Sequence, residues 1–139
     1  MSNDLNFYIN GEWVKSESNE TIDVINPANE EVIGQVTAGT KGDIDKAVSA
    51  ALDAFSSFQQ TTKAQRIELL KNVITEYEAR YNDFVQTISK EMGSPIWLSE
   101  AAQAKTGIKN IQETLDALES YEFEGPEGDY TLIKEPIGV

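Results

Sequence analysis

Serine, threonine, lysine and the carboxylates are the reactive side chains this chain has to work with, because its 139 residues include no cysteine and no histidine. That excludes a thiolate nucleophile, Ser–His and Cys–His pairs, zinc sites built on Cys or His, and disulfides. The remaining groups need a local reason to react, and their spacing supplies none. Adjacent carboxylates such as Glu30-Glu31 fall in polar loops or on exposed helix faces, where solvation is the better reading than an acid/base dyad. Asp43, Asp45 and Asp53 lack the spacing and glycine of a calcium loop. No GxGxxG or GxxxxGK[ST] phosphate loop occurs, and Gly125-Pro126-Glu127-Gly128 reads as a solvent turn. Trp13 and Trp97 are expected to pack near element ends rather than bind a ligand. No residue of 1–139 is therefore assigned a catalytic, cofactor-binding or metal-ligating role.

Composition narrows the partners. With 24 acidic against 11 basic residues the formal charge is −13, which repels phosphate backbones and anionic lipid, so nucleic acid and membrane are excluded as expected partners. There is no run of ~20 apolar residues and no basic-then-apolar leader at the start. The absence of cysteine fits a reducing compartment, so the expected location is cytoplasmic. A length of 139 residues is enough for one ordinary core.

The elements that would position any chemistry follow from periodicity. Residues 1–40 read as two β-hairpins. Phe7–Ile9 and Glu12–Val14 flank Asn10-Gly11, whose residues both tolerate positive φ. Thr21–Asn26 and Val32–Thr37 flank a loop in which Pro27 should end its strand. Residues 41–120 read as three helical blocks. The first carries Ile44, Ala47, Val48, Ala51, Phe55 and Phe58 on one face, with Thr40 as N-cap and Asp43 near the positive end. The second opens on the capping-box pattern Thr62-x-x-Gln65 and runs toward Ile88, with a break expected at Tyr81-Asn82-Asp83 and Gly93 as its end. The third starts with Ser94 as cap and Pro95 as first helical residue, and Gly107 should weaken it modestly. Residues 121–139 read as a third hairpin, Tyr121–Glu124 and Tyr130–Glu135 around a Gly125–Asp129 loop, followed by an apolar Pro136-Ile137-Gly138-Val139. By itself this is an α+β pattern of three antiparallel hairpins and a helical middle.

Six strings occur in the order of one family: FYINGEWV, INPANEEVIGQV, DIDKAVSAALDAF, AQRIELLKNV, KEMGSP and YTLIKEPIGV. Together they resemble the N-terminal portion of NAD(P)-dependent aldehyde dehydrogenases, from Phe7 to Val139. The resemblance implies the α/β fold of that family, of which this chain is the N-terminal part. It also implies oxidation of aldehydes to carboxylic acids with NAD or NADP through a cysteine thiohemiacetal. In the family the E-P-x-G-V string leads into a cofactor-domain strand, and the asparagine, glutamate and cysteine of the reaction all come later, so none falls on a residue here. The chain alone is accordingly expected to be inactive and to bind no cofactor: a truncated or partial dehydrogenase. The alternative is a non-catalytic assembly module that pairs with dehydrogenase subunits. Independent catalysis by Ser, Thr, Lys or carboxylates has no supporting spacing.

The resemblance further implies that the 121–135 hairpin belongs to a bridging segment used for self-association or subunit pairing, through an unpaired edge. Some relatives hold a monovalent cation through main-chain carbonyls that would be those of Val24 and Ile25, with a carboxylate from a later helix. The nearest matching position here is Gln103, not an acid, so no cation site is assigned. Helical faces shaped to cover a sheet outside this segment predict exposed apolar patches, and with them oligomerisation or molten behaviour.

Overall fold

The computed structural model describes residues 3–139; the first two residues of the 1–40 segment lie outside the described residues. Two hairpins lead. Strands β1 (Asn6–Ile9) and β2 (Glu12–Lys15) pair antiparallel, Phe7 opposite Val14 and Tyr8 opposite Trp13. Asn10 (φ 53°) and Gly11 (φ 81°) make the turn, the two positive φ values of a type I′ loop. Strands β3 (Thr21–Ile25) and β4 (Val32–Thr37) form the second antiparallel pair. Their connection is folded by side chain and backbone together: Ala28 N–H donates to Asn26 Oδ1 (2.9 Å), and the Glu30 N–H to the Asn26 carbonyl (2.8 Å).

The helical middle holds five segments, not three blocks: α1 (Lys41–Phe58), α2 (Lys63–Ala79), α3 (Tyr81–Met92), a short α4 (Ile96–Leu98), and α5 (Ala104–Ser120). A π-helical stretch, Ser99–Gln103, joins α4 to α5. The expected Thr62–Gln65 capping box forms, and the expected Thr40 N-cap goes further, making a second box with Asp43. The break in the long second block falls at Arg80 (φ −109°, ψ 14°), one residue before the expected Tyr81-Asn82-Asp83, because leaving the helical ψ at one position suffices to redirect the axis. Gly93 ends α3 in the left-handed conformation, φ 64°.

Ser94 does not cap the next helix, and Pro95 is not its first helical residue. Pro95 is extended (ψ 137°) and is itself the N-cap: its carbonyl accepts from Leu98 N–H (2.9 Å) and Ser99 N–H (3.1 Å). A proline can begin a helix at either place, and here the Ser94 hydroxyl is drawn inward by Ser99 and Gln103. The third hairpin forms, but its turn is tighter than expected. Strands β5 (Glu124–Glu127) and β6 (Tyr130–Ile133) take in Gly125, Pro126 and Glu127, leaving only Gly128-Asp129 as the turn. Pro126 is tolerated because, counted from the turn, its pair with Thr131 is a non-hydrogen-bonded one, so no N–H is required of it.

The main packing is α2 against α5. Tyr77 of α2 stacks on Phe84 (centroids 4.2 Å apart, 11° between planes) and donates its Oη–H to the Ala104 carbonyl (2.7 Å). Tyr81 Oη donates to the Glu100 carbonyl (2.5 Å) within the π-helical stretch. Gly107 is where the two helices meet. A Cβ there would lie 2.5 Å from Tyr77 Oη and 3.0 Å from its Cζ, so this glycine allows a close approach rather than merely weakening α5. Gly107→Ala is expected to lower stability by about 1–2 kcal/mol, since overpacking outweighs the helix propensity gained. Urea unfolding measures it; an alanine variant as stable as the parent contradicts this packing account.

Val85, Ala104 and Leu115 are the buried apolar residues among those described, a small core for this length. Trp13 and Trp97 do not pack as expected: they are 55% and 65% exposed, Trp13 lying tilted against the Tyr8 ring (centroids 5.2 Å apart, 58° between planes). The accessible surface is 10464 Å², against roughly 7,200 Å² for a self-contained protein of this mass. The surplus reflects three two-stranded sheets that do not pair with one another and the expected apolar patches, which are present: Ile44, Val48 and Leu52 on α1, and Ile22, Ile25, Val32 and Val36 on the second hairpin are all exposed. Among the described residues no helix is long and apolar enough to cross a membrane.

Candidate functional site

Three features join the elements: two clusters of polar side chains and one close backbone contact. The first centres on Asp43 at the head of α1. Its Oδ2 accepts from Ser16 Oγ (2.6 Å), Thr40 Oγ1 (2.9 Å) and Thr40 N–H (2.9 Å), and its Oδ1 from Glu17 N–H (3.2 Å). Four donors, led by the Ser16 hydroxyl, hold this buried carboxyl far below the usual carboxylate range. A carboxylate so reluctant to take a proton is no general base at neutral pH, and Ser16 beside it has no imidazole to relay its proton. What the cluster does is mechanical: it ties the end of β2 to the start of α1. Next to it, Lys46 Nζ pairs with Glu17 Oε1 (2.6 Å), and its pKa is raised by the hydrogen bond and charge of Glu17.

The second cluster lies where α3 ends. Ser94, Ser99 and Gln103 form a triangle: Ser94 Oγ to Ser99 Oγ 2.6 Å, Ser94 Oγ to Gln103 Oε1 2.8 Å, Ser99 Oγ to Gln103 Oε1 3.0 Å. Ser89 Oγ donates to the Ser94 carbonyl (2.7 Å), and Gln103 Nε2 to Met92 Sδ (3.6 Å). Ser99 is fully buried, carried inward by the π-helical turn. Two hydroxyl protons serve three edges, so the triangle is a satisfied structural network, with neither a base nor a free nucleophile.

The third is a backbone contact. Gly93 lies against the β3–β4 turn, so that a Cβ on it would sit 2.7 Å from Ala28 N. Two strings far apart in sequence, INPAN and KEMGSP, are thereby brought together. Val24 and Ile25 sit beside this turn, where the β3–β4 register shifts. Gln103 stands in the π-helical stretch with its carboxamide oxygen taken by two serines. Among the described residues no three His, Cys, Asp or Glu side chains gather to hold a metal ion. Sequence reading placed Asp43 at the helix start, but not its bonds to Ser16 and Glu17; the Thr40-x-x-Asp43 box was the available signal. Nothing in the spacing announced the serine–glutamine triangle.

The comparisons with known proteins agree on one relationship. Residues 13–139 match the model of the aldehyde dehydrogenase family. A Staphylococcus aureus protein (strain USA300), provisionally named an aldehyde dehydrogenase, is 52% identical over 132 residues, which is 95% of this chain and 28% of that protein. Among solved structures, the fold is similar to an aldehyde dehydrogenase from Bartonella henselae (TM-score 0.89, 33% identity, 93% of this chain and 27% of that one). It is also similar to a variant of aldehyde dehydrogenase C from Pseudomonas syringae solved with NAD+ and octanal (TM-score 0.87, 33% identity, 91% and 26%). The chain thus spans little more than a quarter of the length of the relatives it matches.

Proposed function

The chain belongs to the aldehyde dehydrogenase family, as its N-terminal portion, and from that premise we propose that it is the structural shell of an oxidoreductase converting aldehydes to carboxylic acids with NAD or NADP. The carrying observation is chemical. Oxidation through a thiohemiacetal needs a thiolate, and these 139 residues contain no cysteine. The thiolate, the general base and the cofactor-binding groups come from polypeptide outside this segment.

The residues present do not fit a nicotinamide dinucleotide. Such a cofactor is held at the crossover of parallel strands with a glycine-rich turn leading into a helix. Here the three described sheets are two-stranded and antiparallel. When bound elsewhere in a complete enzyme, the cofactor supplies the hydride acceptor. What these residues contribute is framework: the Asp43 staple, the Gly93–Ala28 seat, and apolar faces on α1 and the second hairpin that need covering.

The 1–40, 41–120 and 121–139 segments serve as hairpin layer, helical layer and bridge. The bridge supports the assembly reading in particular. Among the described residues the β5–β6 pair joins no other strand, and Tyr130, Leu132 and Ile133 are exposed on it. An edge of this kind accepts a strand from a second copy or from a dehydrogenase subunit.

Complementation tests the proposal. A Staphylococcus aureus relative stripped of its matched segment is expected to be inactive, the chain alone to form no NADH from aldehyde, and the mixture to recover aldehyde-dependent NADH formation. Activity in the chain alone, free of full-length enzyme, overturns the assignment of the reacting groups. A mixture that neither associates nor recovers activity overturns the shell role.

A further inference from the structure

Five of the eleven basic residues, Lys41, Lys46, Lys71, Arg80 and Lys109, are ion-paired. Of the six that form no ion pair among the described residues, three converge on one groove of about 380 Å³ between the α1–α2 connection and the root of the third hairpin: Lys63, Arg66 and Lys134. In a molecule of charge −13 that concentration of unpaired cations calls for a physical account.

Their partners are neutral. Lys63 Nζ donates to the Tyr121 carbonyl (2.8 Å), and Lys134 Nζ to the Glu122 carbonyl (3.2 Å) while lying 4.5 Å over the Tyr121 ring. Arg66 Nε donates to Thr61 Oγ1 (2.8 Å) and its Nη2 to the Gln59 carbonyl (3.2 Å), with the guanidinium 5.8 Å from the centre of the Phe123 ring. These contacts aim the three cations without neutralising them. An ammonium has three N–H groups and a guanidinium five, so two remain on each lysine and three on the arginine. One carboxylate, Glu135, also lines the groove, leaving two uncompensated positive charges. The N-terminus of α2, at Lys63, adds partial charge of the same sign.

We propose that this groove is a binding site for a phosphate group, free or as a monoester. A carboxylate offers one charge and about four lone-pair sites, too few for the seven free donors and two positive charges. A phosphate dianion matches both, through charge-assisted bonds of the kind guanidinium makes best. Its binding is short-ranged, since the rest of the surface repels anions beyond about a Debye length. The inference rests on these side chains and stands apart from the dehydrogenase reading.

Amide hydrogen exchange of the full chain, in inorganic phosphate, glycerol phosphate or acetate at equal ionic strength, tests it. Segments 59–66 and 121–135 are expected to exchange several-fold more slowly with phosphate than with acetate. Protection by both phosphates assigns the site to the monoester group; protection by inorganic phosphate alone assigns it to the free ion. Lys134→Gln, and separately Lys63→Gln, should each weaken phosphate protection by about tenfold or more while leaving exchange elsewhere in the helices unchanged. Equal exchange in phosphate and acetate overturns the proposal, as does phosphate protection that survives the double substitution.

Discussion

Gly93→Ala is expected to cost about 2–4 kcal/mol of stability, combining a left-handed backbone with steric overlap. At φ 64° a side chain is strained in any surroundings. Here the atom in the way is Ala28 N, 2.7 Å from the added Cβ, with the Pro27 carbonyl carbon and Ala28 Cβ at 3.3 Å. Backbone in a turn held by Asn26 cannot swing aside as the end of a long side chain could. Gly93→Asn separates the two causes, because asparagine adopts left-handed φ readily but still carries a Cβ. If close approach dominates, asparagine is no better than alanine in urea unfolding. An alanine variant within about 0.5 kcal/mol of the parent, the range of ordinary surface changes, contradicts the seat between the β3–β4 turn and the end of α3. Loss of that seat should also free the second hairpin, read as faster amide exchange across Thr21–Thr37.

The second large effect is the acid sensitivity of the Asp43 staple. Its folded-state pKa lies below the unfolded value of about 3.9 because four donors favour the ionised form. A depressed carboxylate contributes stability that is complete above the unfolded pKa and is lost as pH falls through that value toward the folded one. The first hairpin is therefore expected to part from α1 as pH drops from about 5 toward 2, followed by the fluorescence of Trp13 on β2. Asp43→Asn keeps the shape but turns an acceptor-only group into one that also donates, opposing Ser16 and Thr40. It should release the hairpin at neutral pH and flatten the acid transition assigned to this group. Parent and Asp43→Asn chains with identical acid profiles of Trp13 emission remove Asp43 from that role.

Local chemistry made much of this legible. Asn10-Gly11, the Thr40 cap and the Thr62–Gln65 capping box act within four residues, where rotamer and φ preferences suffice. The apolar stripe on α1 followed from its spacing, and six ordered strings carried the family. What escaped was non-local. Ser94 reads as a helix cap because serine usually is one, yet Ser99 and Gln103 draw its hydroxyl inward once the π-helical turn forms. Gly107 reads as a weak point in α5, while its reason is a tyrosine thirty residues earlier. Pro126 reads as loop, although the register of β5 on β6 leaves its missing N–H unneeded. Lys63, Arg66 and Lys134 are unremarkable apart; only the meeting of α2 with the third hairpin gathers their charge.

The missing cysteine and histidine were decided by composition alone: no folding can give this segment a thiolate or an imidazole. Tertiary structure decided which polar groups meet. Asp43 with Ser16, Gly93 with Ala28, and three cations in one groove are contacts between elements, set by how helices and hairpins pack, and packing depends on shapes that one-dimensional spacing does not encode.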